Sequence, residues 1–179
     1  MERAMNERSR TDLAAIEMLV LDVDGVLTDG RIITHHDGSE SKCFHVLDGH
    51  GLRMWQRAGL KVAWLSGRNS LATSRRAEEL QVPHVLQDCH AKLPALKKLL
   101  KEVGVPAKNV AYVGDDVMDL PAIRYVGFGV AVANAVDEVK ECADYVTTRA
   151  GGEGAVREVI EYILKSSGRW QSLMARYDI

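Results

Sequence analysis

The sequence predicts an α/β protein with a doubly wound, mainly parallel β-sheet that is covered by helices on both faces. Short apolar runs such as Met18 to Val23, Lys61 to Leu65 and Val110 to Val113 are typical of strands buried on both sides. Helical patterns separate these runs, and right-handed crossovers place such helices on both faces of a sheet. A chain of 179 residues with 46% hydrophobic residues is long enough for one domain with a sizeable core, so residues 1–179 are expected to form a single domain.

A β-hairpin is predicted as an insertion between the first strand and the first helix. Asp37-Gly38 separates two extended runs, residues 31–35 and 39–46, and this dipeptide is a strong hairpin signal. The hairpin would form a flap of about residues 30–46, with no room for a large lid domain. Its apolar residues are Ile32, Ile33, Cys43, Phe44 and Val46. Because an isolated two-stranded hairpin is marginally stable in water, we expect the flap to pack through self-association.

Cap and turn residues place the other elements. Ser70 or Asn69 can cap a helix that runs to Leu80, and Gly104 follows the end of a helix that begins near His90. Further helices are predicted at residues 51–58, 120–125, 137–142 and 155–165, and further strands at 84–86, 128–132 and 144–147. The tail, about residues 166–179, gives no clear pattern.

Composition excludes several classes of function. A net charge of −2 gives no electrostatic basis for binding nucleic acid. No apolar run approaches the length of a membrane span. Residues 1–12 are polar and lack the apolar core of a secretory signal, so a cytoplasmic protein is expected. The three cysteines are far apart in the sequence and are expected to be reduced thiols.

Polar side chains follow the predicted strands, at the edge where sites form in open α/β sheets. Asp22 and Asp24 follow the first strand, Ser66 follows the second, and Asp115 follows the third. Lys92, at the start of a helix, can point at the same edge. Four polar clusters from distant parts of the chain are therefore expected to meet there.

The chemistry that fits these groups is phosphoryl transfer. Clustered carboxylates without Cys or His suit Mg²⁺, a hard cation. Asp22 can attack phosphorus as a nucleophile, and Asp24 can protonate the leaving alcohol and then activate water. Ser66 can donate to a phosphoryl oxygen, and Lys92 supplies positive charge to the transition state. Asp116 and Asp119 remain open, since either could bind the metal through water or cap a helix.

Four motifs resemble those of the haloacid dehalogenase superfamily of phosphatases. They are residues 22–28 (Asp-Val-Asp-Gly-Val-Leu-Thr), Ser66, Lys92 and residues 114–119 (Gly-Asp-Asp-Val-Met-Asp), in the family's order. The resemblance implies the superfamily's Rossmann-like fold, Asp22 as nucleophile and Asp24 as general acid and base. It also implies Mg²⁺ held by Asp22, the Asp24 backbone carbonyl and Asp115. Dehalogenating members lack the acid at the position of Asp24, so a phosphate ester is favoured over a carbon–halogen bond.

A closer resemblance is to the phosphatases of 3-deoxy-D-manno-octulosonate 8-phosphate (KDO 8-phosphate). The segments that carry it are residues 24–30, the hairpin, residues 44–51, 66–68, 111–116 and 151–158. That family is capless and tetrameric, and neighbouring subunits help to close each site. The resemblance implies a sugar-acid phosphate substrate and, in a Gram-negative source, a role in lipopolysaccharide synthesis. The substrate-binding residues it implies are Asp24, His45, Asp48, Gly49, Arg53, Arg68, Arg76 and Lys92.

The identity of the sugar stays open at this point. His45 departs from the family, which more often has Asn there, and close relatives act on nine-carbon sugar-acid 9-phosphates. Another phosphorylated substrate, a phosphotransferase activity, or a catalytically silent scaffold of the same fold are the alternatives. The intact set of Asp22, Asp24, Lys92 and Asp115 argues against a scaffold.

Overall fold

The computed structural model of the protein describes residues 12–177 and contains eight strands and seven α-helices in that range. The strands are β1 (Met18–Leu21), β2 (Ile33–Thr34), β3 (Glu40–Ser41), β4 (Lys61–Leu65), β5 (His84–Leu86), β6 (Val110–Gly114), β7 (Phe128–Ala131) and β8 (Tyr145–Val146). The helices are α1 (Val46–Arg57), α2 (Leu71–Glu79), α3 (Lys92–Val103), α4 (Leu120–Tyr125), α5 (Asp137–Cys142), α6 (Ala155–Ser166) and α7 (Trp170–Met174). The predicted polar segment at the N-terminus, apart from Asp12, and the last two residues of the predicted tail lie outside the described range.

The central sheet has six parallel strands in the order β5-β4-β1-β6-β7-β8. The chain moves outward from β1 to β4 and β5, and then returns to the other side of β1 for β6, β7 and β8. Because right-handed crossovers in opposite directions put their helices on opposite faces, the sheet is covered on both sides. Helix α1 packs against α6, whereas α3, α4 and α5 pack in series. The predicted doubly wound fold is confirmed.

The start of α1 differs from the prediction. The second arm of the hairpin was expected to run to Val46 and the helix to begin at Gly51, but β3 ends at Ser41 and α1 begins at Val46. The reason is a cap that was not foreseen: Nδ1 of His45 accepts a hydrogen bond of 3.2 Å from the N–H of Leu47. This cap satisfies one of the free N–H groups of the first helical turn.

Other boundaries agree closely with the sequence analysis. Ser70 caps α2, and its hydroxyl accepts from the N–H of Thr73. Gly104 follows α3 in the left-handed conformation, with φ 69°, which a residue without a Cβ adopts readily. The uncertain tail contains α7 and a short 3-10 helix at Ala175–Tyr177.

The core fills the space between the sheet and its helices. All described residues of β1, β6 and β7 are buried, as expected of central strands covered on both faces. One hydrophobic cluster extends from Ile16 to Leu164 and includes the large side chains of Trp55, Trp64 and Tyr112. Within residues 12–177, none of the helices has the length and apolar character needed to cross a bilayer.

The hairpin forms a separate two-stranded sheet outside this core. β2 and β3 pair antiparallel, with Ile33 opposite Ser41 and Thr34 opposite Glu40. The side chains of Ile32 and Ile33 are exposed, although both are apolar. The predicted insertion after the first strand is therefore present, with strands shorter than expected.

Candidate active site

The strand order reverses at β1, which lies between β4 and β6. Leu21 at the end of β1 pairs with Trp64 in β4 and with Val113 in β6, so the carboxyl ends of the three strands are level. In open α/β sheets, ligands bind at such a switch point. Asp22 comes next in the chain, and its N–H donates a 3.0 Å hydrogen bond to the carbonyl of Val113. This bond fixes the backbone of Asp22 at the reversal point.

The turn after β1 brings Gly25 against Asp115. Gly25 has φ +88°, and a Cβ built on it would lie 2.0 Å from Oδ2 of Asp115. Any other residue would strain the backbone and displace that carboxylate. The buried hydroxyl of Thr28 accepts from the N–H groups of Gly25 and Gly30, at 3.3 and 3.2 Å, and so holds the turn closed. The motif Asp-x-Asp-Gly therefore places the turn after β1 directly against Asp115.

Lys92, the first residue of α3, is buried between two carboxylates. Its Nζ lies 2.9 Å from Oδ2 of Asp22 and 2.6 Å from Oδ1 of Asp119. Burial alone lowers the pKa of Lys92, but the attraction of the two carboxylates outweighs burial and the pKa is raised. Lys92 is therefore charged at neutral pH.

Asp119 supports the neighbouring residues of the site, because both of its carboxylate oxygens already accept hydrogen bonds. Its Oδ1 accepts from Lys92 and from the hydroxyl of Tyr112, both at 2.6 Å. Its Oδ2 accepts from the N–H groups of Asp115 and Asp116, at 3.1 and 3.3 Å. The carboxylate of Asp116 is exposed and caps the short helix that follows. The structure thus shows Asp116 as a helix cap and Asp119 as a support for its neighbours, while metal binding through water stays a prediction.

Asp22 and Asp115 form an acidic pair that needs a cation. One carboxylate oxygen each from Asp22, Asp115 and Asp119 lie within 4.8 Å of one another. Burial, followed by repulsion from Asp119 and opposed by Lys92, raises the pKa of Asp22 to about 6. Burial, followed by repulsion from Asp22 and Asp119, raises the pKa of Asp115 to about 8. Oδ1 of Asp115 is buried with no hydrogen-bond partner among residues 12–177.

This donor set fits a hard divalent cation. All its side-chain donors are oxygens, which Mg²⁺ prefers, and a cation would relieve the repulsion that raises both pKa values. Asp22 and Asp115 are the residues that would hold it, since each retains acceptor capacity. Asp119 is not counted, because Lys92, Tyr112 and two backbone N–H groups already occupy it.

Ser66 lies at the same edge, directly after β4. Its N–H donates to the carbonyl of Leu86 at 2.9 Å, which keeps it in line with the sheet. Its Oγ accepts from the N–H of Arg68 at 3.1 Å, and its side chain is buried. The structure therefore brings Asp22, Ser66, Lys92 and Asp115 to one edge of the sheet, as the sequence predicts.

Asp24 faces the hairpin, and this contact was missed from the sequence. Its Oδ1 accepts from Nζ of Lys42, while Arg68 lies 3.9 Å from Oδ2. Arg68 also donates to Glu40 at 2.9 Å. Glu40 and Lys42 alternate along one arm of the hairpin, so their side chains point to the same face. That alternation of charges was the available signal, but it did not reveal what the face would meet.

The predicted substrate residues near the start of α1 form a second group. Gly49 lies so close to Arg76 that a Cβ at Gly49 would be 2.4 Å from an Arg76 nitrogen. The guanidinium of Arg76 also lies over the ring of Phe44, 5.9 Å from its centre. His45 caps α1, as described above. These residues contact one another rather than the carboxylates of the central edge, and their role in binding stays a prediction.

Asp48 has a clear structural contact. Its Oδ1 accepts a 2.7 Å hydrogen bond from the N–H of Arg157, in the first turn of α6. Burial raises the pKa of Asp48, and the hydrogen bond from Arg157 opposes that shift. A carboxylate at a helix N-terminus is stabilising. Asp48 thus joins α1 to α6, whatever it contributes to a substrate.

Arg53 lies in a different part of the subunit. Its guanidinium donates to the carbonyl of Leu80 at 3.2 Å and to the side chain of Gln81 at 2.7 Å, both beyond the end of α2. It shares a surface cavity of about 430 Å³ with Lys61, which begins β4. Because Ser66 follows the opposite end of β4, Arg53 lies towards the other edge of the sheet. The structure does not bring it to Asp22 within one subunit.

Comparisons with known proteins agree with this geometry. Residues 84–160 match the family model of haloacid dehalogenase-like hydrolases. The KDO 8-phosphate phosphatase of Escherichia coli K12 is 44% identical over 154 residues, which cover 86% of this chain and 82% of the relative. That of Haemophilus influenzae is 41% identical over 157 residues, covering 88% and 87%.

A solved structure extends the comparison to three dimensions. The KDO 8-phosphate phosphatase of Moraxella catarrhalis, in complex with magnesium, phosphate and KDO, superposes with a TM-score of 0.90 at 42% identity. The match covers 92% of this chain and 95% of that one. The resemblance seen in the motifs is confirmed over most of the chain. This protein belongs to the KDO 8-phosphate phosphatase family of haloacid dehalogenase-like hydrolases.

Proposed function

We propose that the protein is a Mg²⁺-dependent phosphomonoesterase that hydrolyses KDO 8-phosphate to KDO and phosphate. One observation carries the proposal: Asp22 lies at the switch point of the sheet, with Lys92 2.9 Å away and with Asp115 beside it. Family membership supports the substrate, since the matched relatives are named for this activity. The roles of single residues are part of the proposal.

In the first step, an oxygen of Asp22 attacks phosphorus and the bond to the sugar oxygen breaks. Asp24 gives its proton to the departing oxygen, so the sugar leaves as an alcohol and Asp22 becomes an acyl phosphate. Ser66 donates a hydrogen bond to the phosphoryl group. Lys92 faces the charge that develops on the phosphoryl oxygens.

In the second step, Asp24 takes a proton from water, whose oxygen attacks the phosphorus of the intermediate. The acyl phosphate bond breaks, phosphate leaves, and Asp22 is regenerated while Asp24 is protonated for the next cycle. Bound Mg²⁺ would offset the charge of the carboxylates and of the phosphate, so that an anionic nucleophile can approach an anionic substrate. We assign Mg²⁺ to Asp22, Asp115 and the backbone carbonyl of Asp24.

The substrate carries a carboxylate as well as a phosphate, and cations suit both. Arg68 lies beside Asp24 and is the cation best placed for the sugar acid. Arg76 and residues 45–49 form a separate group, and Arg53 lies near the opposite edge of the sheet. Two neighbouring subunits could supply these groups to one site.

A homotetramer and a cytoplasmic location complete the proposal. The exposed Ile32 and Ile33 on a hairpin with two-residue strands support assembly, because such a hairpin is marginal by itself. Assembly around the hairpins would also exclude water from the site without a cap domain. Light scattering at micromolar concentration tests this, and a monomer would contradict it.

The function is tested by measuring phosphate release from KDO 8-phosphate, nine-carbon sugar-acid 9-phosphates and common hexose phosphates, with and without Mg²⁺. The expected result is the highest kcat/KM for KDO 8-phosphate and turnover only with the metal. A preference for a nine-carbon substrate would transfer the assignment to that class. Absence of metal-dependent turnover on every ester, with no effect of Asp22→Ala, would identify a scaffold.

A further inference from the structure

We propose that Lys42 is a positioning residue for the reaction: its ammonium group holds one oxygen of Asp24, so that the other oxygen is presented to the leaving group. The inference rests on the proposed function and adds a residue from the hairpin to the catalytic apparatus. Lys42 itself does not contact the reacting atoms. Its effect is exerted through Asp24.

The burial of Lys42 is the first argument. Although lysine side chains are mostly exposed, that of Lys42 is only 3% exposed, and its Nζ contacts Oδ1 of Asp24. The carboxylate of Glu40 lies 3.8 Å from the same Nζ. A charge removed from water in this way must be paired, and Asp24 is its nearest partner. The contact is therefore part of how the hairpin folds onto the site.

The two oxygens of Asp24 are the second argument. Oδ1 is occupied by Lys42, whereas Oδ2 is buried and has no hydrogen-bond partner among residues 12–177. Its nearest ion-pair partner is Arg68, at 3.9 Å, which is beyond hydrogen-bond distance. Oδ2 is thus the oxygen left to exchange a proton with the leaving group or with water. Misplacement of a reacting group by about 1 Å lowers rates by about 100-fold, so fixing Oδ1 has a consequence for turnover.

The rest of the hairpin network explains why the contact persists. Glu40 accepts from Arg68 at 2.9 Å, so Glu40 and Lys42 attach the same arm of the hairpin to two points of the site. Two positive and two negative groups balance within it. The hairpin therefore contacts the site in two ways. Lys42 contacts Asp24 directly, whereas Glu40 contacts Arg68, which lies 3.9 Å from Oδ2 of Asp24.

The test compares two leaving groups, because a good leaving group departs without a proton. In Lys42→Met, kcat for KDO 8-phosphate with Mg²⁺ is expected to fall about 10- to 100-fold. The burst of p-nitrophenol from p-nitrophenyl phosphate, which reports the first step alone, is expected to slow by less than about 3-fold. The inhibition constant of inorganic phosphate is expected to stay within about 3-fold, since Lys42 is not assigned to the phosphate.

A double-mutant cycle isolates the pathway of the effect. If Lys42 acts only through Asp24, adding Lys42→Met to Asp24→Asn produces no further loss of the first-step rate for KDO 8-phosphate. Additive losses would overturn the proposal. Equal losses for both leaving groups would overturn it too, as would phosphate inhibition weakened more than about 10-fold, which would make Lys42 a phosphate ligand.

Two control variants exclude simple loss of structure. Lys98→Met makes the same chemical change at an exposed position of α3 and is expected to leave both rates unchanged. Glu40→Gln breaks the other contact of the hairpin and is expected to show no dependence on the leaving group. Where thermal unfolding shows that Lys42→Met is not folded, Lys42→Gln is measured in its place, and the same split between the two esters is expected of it.

The outcome is separable from that of the proposed function. If the unchanged protein does not hydrolyse KDO 8-phosphate, the proposed substrate is wrong. The comparison of leaving groups is then made with whichever alkyl phosphate the screen shows to be turned over. On that substrate the same outcomes overturn the role of Lys42: equal losses for both leaving groups, additive losses in the double-mutant cycle, or weakened phosphate inhibition.

Discussion

Two clusters around acidic side chains differ in how their charge is balanced. At the carboxyl edge of the sheet, Asp22 and Asp115 face each other, and the pKa of each is raised, to about 6 and about 8. On α6, Glu158 accepts four hydrogen bonds of 2.8–3.0 Å, from the hydroxyls of Tyr145 and Thr148 and from two backbone N–H groups. Although its burial raises the pKa of Glu158, these donors outweigh burial and lower it.

Hydrogen bonding distinguishes structural carboxylates from those of the candidate active site. Glu158 is satisfied by the chain itself and holds the segment after β8 to α6. Asp22 and Asp115 are left with repulsion that Lys92 offsets in part and that a bound cation would offset further. Perturbed pKa values of this kind cluster at functional sites, where stability is given up for reactivity. The contrast predicts opposite effects when charge is removed from the two clusters.

The largest effect is expected from Asp22→Asn. An amide is not a competent nucleophile, so turnover should fall by more than about 10⁴-fold in a phosphate-release assay. At pH 8 without Mg²⁺, however, the unfolding temperature should equal or exceed that of the unchanged protein, because an unfavourable buried charge is removed.

A matched control for this variant is Asp137→Asn, at a side chain that is 93% exposed. It should leave both activity and stability nearly unchanged. A marked loss of stability in Asp22→Asn would show that the carboxylate is structural, and the contrast with Glu158 would fail.

Lys92→Met should lose both stability and catalytic activity. It leaves Asp22 and Asp119 without their shared cation in a buried site, which is expected to destabilise the protein by about 3–5 kcal/mol. Turnover should fall by at least about 100-fold, since the charge facing the phosphoryl group is lost. Denaturant unfolding and steady-state assays measure the two effects. Lys98→Met on the same helix is the control, and equal stability of the two variants would contradict the role given to Lys92.

Much of the fold and of the candidate site could be predicted from the sequence, because the sequence signals for them are local. A strand end followed by Asp22, or a helix starting at Lys92, needs only the pattern of buried strands and the rule that sites lie at their carboxyl ends. The contact of Lys42 with Asp24 could not be predicted, because a hairpin's orientation depends on tertiary packing. The same holds for His45, whose ring caps α1 so that the helix begins earlier than predicted, and for Arg53, whose partners Leu80 and Gln81 lie beyond the end of α2.

Removal of Mg²⁺ should make stability depend on pH in a defined direction. The pKa is raised from 3.8 to about 6 for Asp22 and from 3.8 to about 8 for Asp115. Between 3.8 and the raised pKa of each group, the folded state therefore binds more protons than the unfolded state. Stability of the metal-free protein should therefore fall as pH rises from about 4 to about 8. Saturation with Mg²⁺ at 100 times its Kd should add about 2.7 kcal/mol, or roughly 5–10 °C in unfolding temperature.

Thermal unfolding across that pH range, with EDTA or with Mg²⁺, measures the effect. The fall with pH should be weaker in Asp115→Asn, which lacks the group with the larger shift. If the stability of the metal-free protein instead rose with pH across this window, the two carboxylates would not repel each other.

The smallest effect is expected at the satisfied cluster. Glu158→Gln replaces an oxygen that accepts from Thr148 and Arg149 with an NH₂ group that cannot accept, and should destabilise the protein by about 1–3 kcal/mol. Because the pKa of Glu158 is lowered, its contribution to stability is present above pH 4.5 and is lost as pH falls through its pKa in the folded state. The difference between the two proteins should therefore shrink in acid, in the direction opposite to that of Asp22 and Asp115.

Glu161→Gln is the control on the same helix, because Glu161 also carries a lowered pKa but, within residues 12–177, makes ion pairs only with Arg157 and Lys165 on α6 itself. Such pairs contribute about 0.3–0.5 kcal/mol each, so its loss should stay below about 1 kcal/mol. Folded Glu158→Gln should retain kcat within about 3-fold, since within residues 12–177 its donors Tyr145, Thr148 and Arg149 make no hydrogen bond or ion pair with Asp22, Lys92 or Asp115. A loss of turnover without a loss of stability would place Glu158 in the catalytic apparatus and erase the distinction between the two clusters.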